Sequence, residues 1–507
     1  MKRKVSLLIA ACMLATLCLA APAFAEEGPL LAEPVTLTMF IDHSWYPVET
    51  FTGIIPEEIT RLTNVTLDPT IGIDGEQLGV MIASGDLPDI VYTQNMLDRL
   101  SDPEVSYSYE DLIEQYDVDW PISDKQLGIG RGYSADGKAY TILNHYSEKA
   151  DWEGIVGASP MVGSMGVRGD LLEAVGNPEL KSLDDLFNTF GLIKAAYPDV
   201  VPLKLNQDWN IIVLRYLNGM GGTDFLEQED GSYLHYSVDP RYKEILQWVN
   251  ECYQAGYVIS DDPYFVRGST AIATDKYFAS LTCTQNGIPG TNGDLAAIDP
   301  SFYLFELTPF EQSNYVTADL GWSGSFIPLS CSNPEAAIKL IAWMFTPQAQ
   351  SLTQMGREGV EYTLNDEGLP VFSQEWQDAI AAGSATHNKI YNPWFYLGGS
   401  EIVEAITRCA TTDQKLVGEA YKVIAERFDN APWIKAGEPI GDIDEKVIFD
   451  KIKELSSTYD RKIILAEDDA AFESMYQEFI TNAERTGIQQ LDEYVTAKIK
   501  EAMPLYQ

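Results

Sequence analysis

Apolar and polar positions alternate with a period of two from Val35 to Ile41: Val35, Leu37, Met39 and Ile41 share one face, and Thr36, Thr38 and Phe40 share the other. That period predicts a strand. A polar, aromatic loop follows: Asp42-His43-Ser44-Trp45-Tyr46-Pro47. Pro56-Glu57-Glu58 opens a helix ending near Asn64, and Val65 to Ile71 reads as a second strand. From Gly75 to Ala83 the period changes to that of a helix, with Leu78 and Ile82 one turn apart, and Ile90-Val91-Tyr92 reads as a third strand. A β-α-β-α-β order predicts parallel strands with helices on the sheet faces.

The alternation recurs further along. Val167 to Asp170 leads into a short helix, and Ser182 with Asp185 has capping-box spacing for the next one. Asp239-Pro240 supplies an N-cap and a proline at the first helical position. Tyr242, Ile245, Leu246, Val249 and Cys252 then share one face up to Gly256. Asn333-Pro334 starts another helix, with Ile338, Ile341 and Phe345 inward and Pro347 preventing its continuation. From Phe372 onward the pattern is mainly helical, ending in a long helix with Leu491, Val495 and Ile499 on one side.

The first 25 residues stand apart from this pattern. Lys2, Arg3 and Lys4 precede an apolar run from Val5 to Leu19. Pro22 and then Ala23-Phe24-Ala25 close it. A basic start, an apolar stretch and an A-x-A site read as a secretory signal peptide cleaved after Ala25. The expectation is an exported protein, extracellular or associated with the cell surface. Ile9-Ala10-Ala11-Cys12 resembles a lipobox, but it would leave a very short apolar region, so a lipid anchor at Cys12 ranks second. No later run reaches transmembrane length, since Ile327 to Phe345 is interrupted by Pro328, Asn333, Pro334, Glu335 and Lys339.

With 45% hydrophobic residues in 507, the chain is globular and long for one domain, so two lobes are expected. A formal charge of −42 argues against nucleic acid and anionic lipid as partners. Cys252, Cys283, Cys331 and Cys409 remain after export. Their spacing matches no metal motif, and their pairing is left open. Cys252 and Cys409 fall on apolar helix faces, where buried thiols behave as small apolar residues.

Catalytic motifs are scarce. There is no phosphate-binding glycine loop and no Gly-x-Ser-x-Gly elbow, and His43, His145, His235 and His387 lack metal-ligand spacing. No cofactor and no metal are expected. The aromatic residues say more. Trp45 and Tyr46 follow the first strand, where ligands contact open α/β sheets. Trp209, Trp322, Trp394 and Tyr396 lie in polar or glycine-rich surroundings, whereas Trp248 and Trp343 sit within amphipathic helices and read as core. Flat rings stack on the C–H faces of sugars, and nearby polar side chains meet the hydroxyls, so this composition suits a carbohydrate cleft.

Several segments together resemble the extracellular solute-binding proteins, family 1, of ABC importers, in their long Gram-positive branch. Ala83-Ser84-Gly85-Asp86-Leu87-Pro88-Asp89-Ile90 resembles that family's signature turn. Gly137-Lys138-Ala139-Tyr140, Arg168-Gly169-Asp170-Leu171-Leu172, Asp239-Pro240-Arg241-Tyr242, Asn333-Pro334-Glu335-Ala336-Ala337 and Gly356 to Tyr362 resemble further motifs in family order. Where some long members carry a calcium loop, Lys194 to Pro202 offers one carboxylate, too few for calcium.

The resemblance implies an α/β, two-lobed periplasmic-binding-protein-like (type II) fold with a hinge and an interlobe cleft. The first lobe would hold residues 35–147 and 318–371, and the second 148–317 and 372–507. It implies a monomeric, non-enzymatic protein that captures a carbohydrate, an oligosaccharide in expectation, for a membrane ABC permease. The competing class is a secreted polysaccharide-degrading enzyme, a glycosidase or lyase, which differs in turning its sugar over. The site expected from the first lobe is Asp42, Trp45, Tyr46, Ser84, Asp86 and Asn144. Trp209, Arg215, Trp394 and Tyr396 are expected from the second lobe, and Trp322 at the return crossing.

Overall fold

A computed structural model of the chain describes residues 28–73, 76–155, 157–205, 210–259, 276–284, 287–318, 321–366, 368–394 and 396–506. The expected signal segment, with Cys12, and Trp209 lie outside the described residues. The chain forms two compact units, one of Met1–Gly154 with Leu320–Ala410 and the other of Ile155–Asp319 with Thr411–Gln507. Residues 372–410 therefore belong to the first unit, not the second as expected. The reason is packing: Phe372, Trp376, Ala379, Tyr391 and Leu397 are buried in the first unit's core beside Ile338 and Ile341.

The first unit is built on a five-stranded sheet, in the order Val65–Ile71, Val35–Ile41, Ile90–Thr93, Gly324–Phe326, Ile142–Leu143. The first three strands are parallel, in register Val35 to Val65 and Met39 to Ile90. The returning strand Gly324–Phe326 runs antiparallel to both its neighbours. Leu37, Met39 and Ile41 enter one core, with Ile55, Ile59 and Ile341. Phe40 enters another on the opposite face, with Val91, Tyr140 and Phe326. Both faces are thus covered, as a parallel sheet requires. The helices between the strands are Ile54–Thr63, closed by Asn64 in the left-handed region, and Gln77–Ser84.

The second unit carries a four-stranded sheet, Leu304–Glu306, Gly163–Arg168, Tyr277–Cys283, Val201–Lys204. Here the alternation does not give a parallel sheet. Gly163–Arg168 is antiparallel to both its neighbours, and only Val201–Lys204 pairs parallel with Tyr277–Cys283. The helices begin where the caps place them. Ser182 accepts from the Asp185 amide ahead of Leu183–Ala196, and Asp239 accepts from the Arg241 amide ahead of Pro240–Gln254. Leu491, Val495 and Ile499 of the last helix, Ile488–Tyr506, are fully buried. Cys252, Cys283, Cys331 and Cys409 are buried. Among the described residues no helix is long and apolar enough to cross a membrane.

Candidate functional site

At the carboxyl edge of the first unit's sheet the chain leaves the Val35–Ile41 strand as a pinned loop. The Asp42 amide donates to Tyr92 O (2.9 Å), and Asp42 Oδ2 accepts from Thr93 Oγ1 (2.8 Å) and Asn95 Nδ2 (2.9 Å). The Tyr46 amide closes a turn on His43 O (2.9 Å). This loop delivers three rings into a larger aromatic array. His43 lies 5.3 Å from Trp45, 5.3 Å from Tyr92 and 4.9 Å from Trp322, between ring centroids. Trp45 lies 5.9 Å from Trp322 and 6.2 Å from Trp394, and Tyr46 lies 5.8 Å from Trp394. Trp394 Nε1 donates to Asn388 Oδ1 (2.9 Å), which fixes that indole from behind. His43, Tyr46 and Tyr92 are buried and Trp322 and Trp394 are half-buried, while Trp45 keeps 46% of its surface exposed. The array is a wall of tilted rings open to solvent at Trp45.

Beneath it lies a buried polar layer. His43 Nε2 and Ser323 Oγ are hydrogen-bonded at 2.8 Å. Asn144 uses both ends of its amide: Nδ2 donates to the Tyr92 hydroxyl (2.6 Å), and Oδ1 accepts from the Ser323 amide (3.2 Å). Trp322 Nε1 donates to His145 Nδ1 (3.2 Å), and His145 Nε2 meets Glu404 Oε2 (2.7 Å). Arg408 holds the other carboxylate oxygen, with Nε at 2.8 Å and Nη2 at 2.7 Å from Glu404 Oε1. Burial pushes the Glu404 carboxyl up, but Arg408 and the His145 bond outweigh it and hold it down at about 2. Two glycines make the close approaches possible. A Cβ on Gly321, whose φ is +105°, would meet Asn144 O at 2.4 Å, and one on Gly399 would meet His145 Cε1 at 2.5 Å.

Of the residues expected from sequence, Asp42, Trp45, Tyr46, Asn144, Trp322 and Trp394 come together here. All belong to the first unit, Trp394 included. The side chain of Tyr396 is outside the described residues; its backbone lies in the Tyr396–Gly398 turn of the same unit. Ser84 and Asp86 do not join them. A helix following a parallel strand returns the chain to the opposite, amino-terminal edge of the sheet. There the exposed Ser84 hydroxyl caps its own helix, donating to Met81 O (3.2 Å) and accepting from the Asp86 amide (3.4 Å). Arg215 belongs to the second unit, where it is buried with its guanidinium 4.1 Å from the Tyr236 ring and bonded to Thr223 O.

The sequence reading missed His43, Tyr92, His145, Ser323, Glu404 and Arg408. His43 carried a signal, since it sits between Asp42 and Trp45 in the same loop. Glu404 and Arg408 were legible only as a helical ion pair four residues apart. Among the described residues no group of three or more His, Cys, Asp or Glu side chains gathers to hold a metal ion.

No protein-family model matches the chain, and no curated protein matches it. Solved structures do match. Alginate-binding protein AlgQ2, crystallised without calcium ion, is 18% identical, with a TM-score of 0.71, covering 94% of this chain and 100% of that one. The N-glycan transport solute-binding protein NgtS of Streptococcus pneumoniae is 16% identical, with a TM-score of 0.62, covering 94% and 100%. A solute-binding protein of Bifidobacterium longum infantis, described as binding HMO and associated with an ABC transporter, is 11% identical, with a TM-score of 0.63, covering 92% and 99%. Nearly the whole chain thus has the two-lobed α/β fold of these ABC-transporter sugar-binding proteins.

Proposed function

We propose that this protein is the substrate-binding component of an ABC importer and captures an oligosaccharide on the aromatic wall of its first unit. The observation that carries this is the array of Trp45, Trp322, Trp394 and Tyr46. It is open to solvent at Trp45, while Asn388 holds the Trp394 indole and His145 holds the Trp322 indole by hydrogen bonds. Rings that are both accessible and rotationally fixed suit stacking on the C–H faces of pyranose or furanose rings. Fold likeness to proteins named for alginate binding, N-glycan transport and HMO binding supports the substrate class. In this reading the protein works as an exported monomer that hands its ligand, unaltered, to a membrane permease.

A ligand that binds only the folded state raises the melting temperature by mass action. The test is a thermal-shift panel of kestose, mannosyl-N-acetylglucosamine, alginate oligosaccharides and milk oligosaccharides, with product analysis of every hit. A concentration-dependent upward shift with the sugar recovered intact supports the reading. Shifts with peptides alone overturn the substrate class, and shortened or unsaturated products establish an enzyme.

A further inference from the structure

The Trp322 indole touches two buried histidines, but it spends its one N–H on His145. That nitrogen is a donor and never an acceptor. His145 Nδ1 must therefore be unprotonated to receive it. On the far side of the imidazole, Glu404 Oε2 lies 2.7 Å from Nε2, and Arg408 occupies Oε1. A carboxylate so paired accepts only, so Nε2 must carry the ring's proton. Both nitrogens are thus assigned by their partners, and the ring is neutral. A second proton would set Nδ1–H against the indole N–H, donor against donor.

The surroundings are shaped for this imidazole. His145 holds φ +53°, a left-handed conformation that is uncommon outside glycine, with its amide donating to Gly399 O (2.7 Å). The ring lies where any side chain at position 399 would stand. Backbone strain retained at a site is a pointer to function. Among the described residues, the titratable and charged groups around the imidazole include Glu404 and Arg408 on the Glu401–Cys409 helix, and His43 and Tyr92 across the Trp322 ring. Glu401, on the same helix, accepts from the Ser147 hydroxyl.

We propose that His145, held with its proton on Nε2 by Glu404 and Arg408, is the positioning residue that fixes the rotation of the Trp322 ring. Trp322 then presents one face to the ligand because a proton is in one place, and apolar packing alone does not set that face. This rests on the sugar-binding reading only for its consequence, since the positioning itself is a property of the ligand-free protein.

The experiment uses the full chain without ligand, with nitrogen-isotope-labelled histidine and tryptophan read by NMR, and Trp322→Phe to assign the indole signal. The expected result is a proton on His145 Nε2 and a hydrogen-bonded Trp322 indole signal. His145→Phe, which fills the space with neither donor nor acceptor, should give the unbonded signal. His145→Gln, whose amide can accept from the indole and donate to Glu404, should restore it. Glu404→Gln permits both tautomers and should split or broaden the signal; it keeps the test readable should the phenylalanine variant not fold. For any panel sugar the wild type binds, His145→Phe should weaken affinity roughly tenfold, while His145→Gln stays close to wild type. A proton on Nδ1, or an indole signal unchanged in His145→Phe, overturns the proposal. If the wild type binds no sugar in the panel, the functional reading falls, and the indole signal still decides this one.

Discussion

Asp89 and Thr38 hold each other by three hydrogen bonds across the first unit's sheet. Asp89 Oδ2 accepts from both the amide and the hydroxyl of Thr38, each at 2.7 Å, and the Asp89 amide donates back to Thr38 Oγ1 at 3.1 Å. The other carboxylate oxygen accepts from the Ser332 amide (2.6 Å), so one side chain ties together the first strand, the third strand and the returning chain. This gives the Asp of the Leu87-Pro88-Asp89-Ile90 turn a structural role. Asp89→Ala should lower stability by about 1–2 kcal/mol, the low side of the range for hydrogen bonds to a charged group, because Thr38 and Ser332 are exposed and can bond to water instead. Urea unfolding followed by circular dichroism measures it, and an unchanged midpoint would show that the tie carries no weight.

Trp45 and Trp322 should separate binding from folding. Each replaced by Ala should weaken sugar binding by on the order of 2 kcal/mol, as for a stacking ring at a recognition centre. Trp45→Ala should cost little stability, because the ring is 46% exposed. Trp322→Ala should cost more, because it also removes the N–H bonded to His145. Calorimetric titration beside a melting curve distinguishes the two. Equal affinity in both variants would place the ligand elsewhere.

Glu404 sets an acid limit. Its carboxyl is held at about 2, below the ordinary 4.5, so the unfolded chain binds the proton more readily. Its contribution is therefore fully present above about pH 4.5 and is lost as pH falls toward 2. A shift of this size corresponds to on the order of 3 kcal/mol as an upper bound. Glu404→Gln should lower stability at pH 7 and flatten the decline between about pH 5 and about pH 3. Denaturant midpoints across that range provide the check.

Glu306 sets the opposite dependence in the second unit. It is buried in the sheet opposite Gly166, and neither carboxylate oxygen has a hydrogen-bond partner among the described residues. Burial pushes its carboxyl up to about 8, opposed by the nearby Ser164 hydroxyl. Here the folded state holds the proton more tightly. The stabilisation is complete below about pH 4.5 and is lost as pH rises through 8. Glu306→Gln should be nearly neutral near pH 5 and stabilising near pH 9, by on the order of a few kcal/mol. A variant that loses stability at high pH would mean the carboxylate has a use when charged.

Much of the chain was legible because its signals are local. The Val35–Ile41 strand, the Asn333 cap with Pro334, and the Asp239 cap with Pro240 each rest on residues within a turn of one another. Side-chain period and capping chemistry decide such elements without reference to the rest of the molecule. The loop of Asp42, Trp45 and Tyr46 was legible for a related reason: a parallel strand must deliver its carboxyl end to one sheet edge.

By itself, then, the sequence determined where the strands and helices lie, that the first strands run parallel, and which aromatic residues stand outside the helix cores. Tertiary structure alone decided which distant segments share an edge. Strand order brings Gly324–Phe326 between Ile90–Thr93 and Ile142–Leu143, and so carries Trp322 and Ser323 to Asn144 and His145. The Glu401–Cys409 helix packs into the same unit and supplies Glu404 and Arg408. Ser84 and Asp86, close in sequence to the strand end at Tyr92, fall at the other edge. The physical reason is that periodicity encodes which face of an element is apolar, whereas a site made from loop ends depends on strand order, a property of the packed sheet that no local window contains.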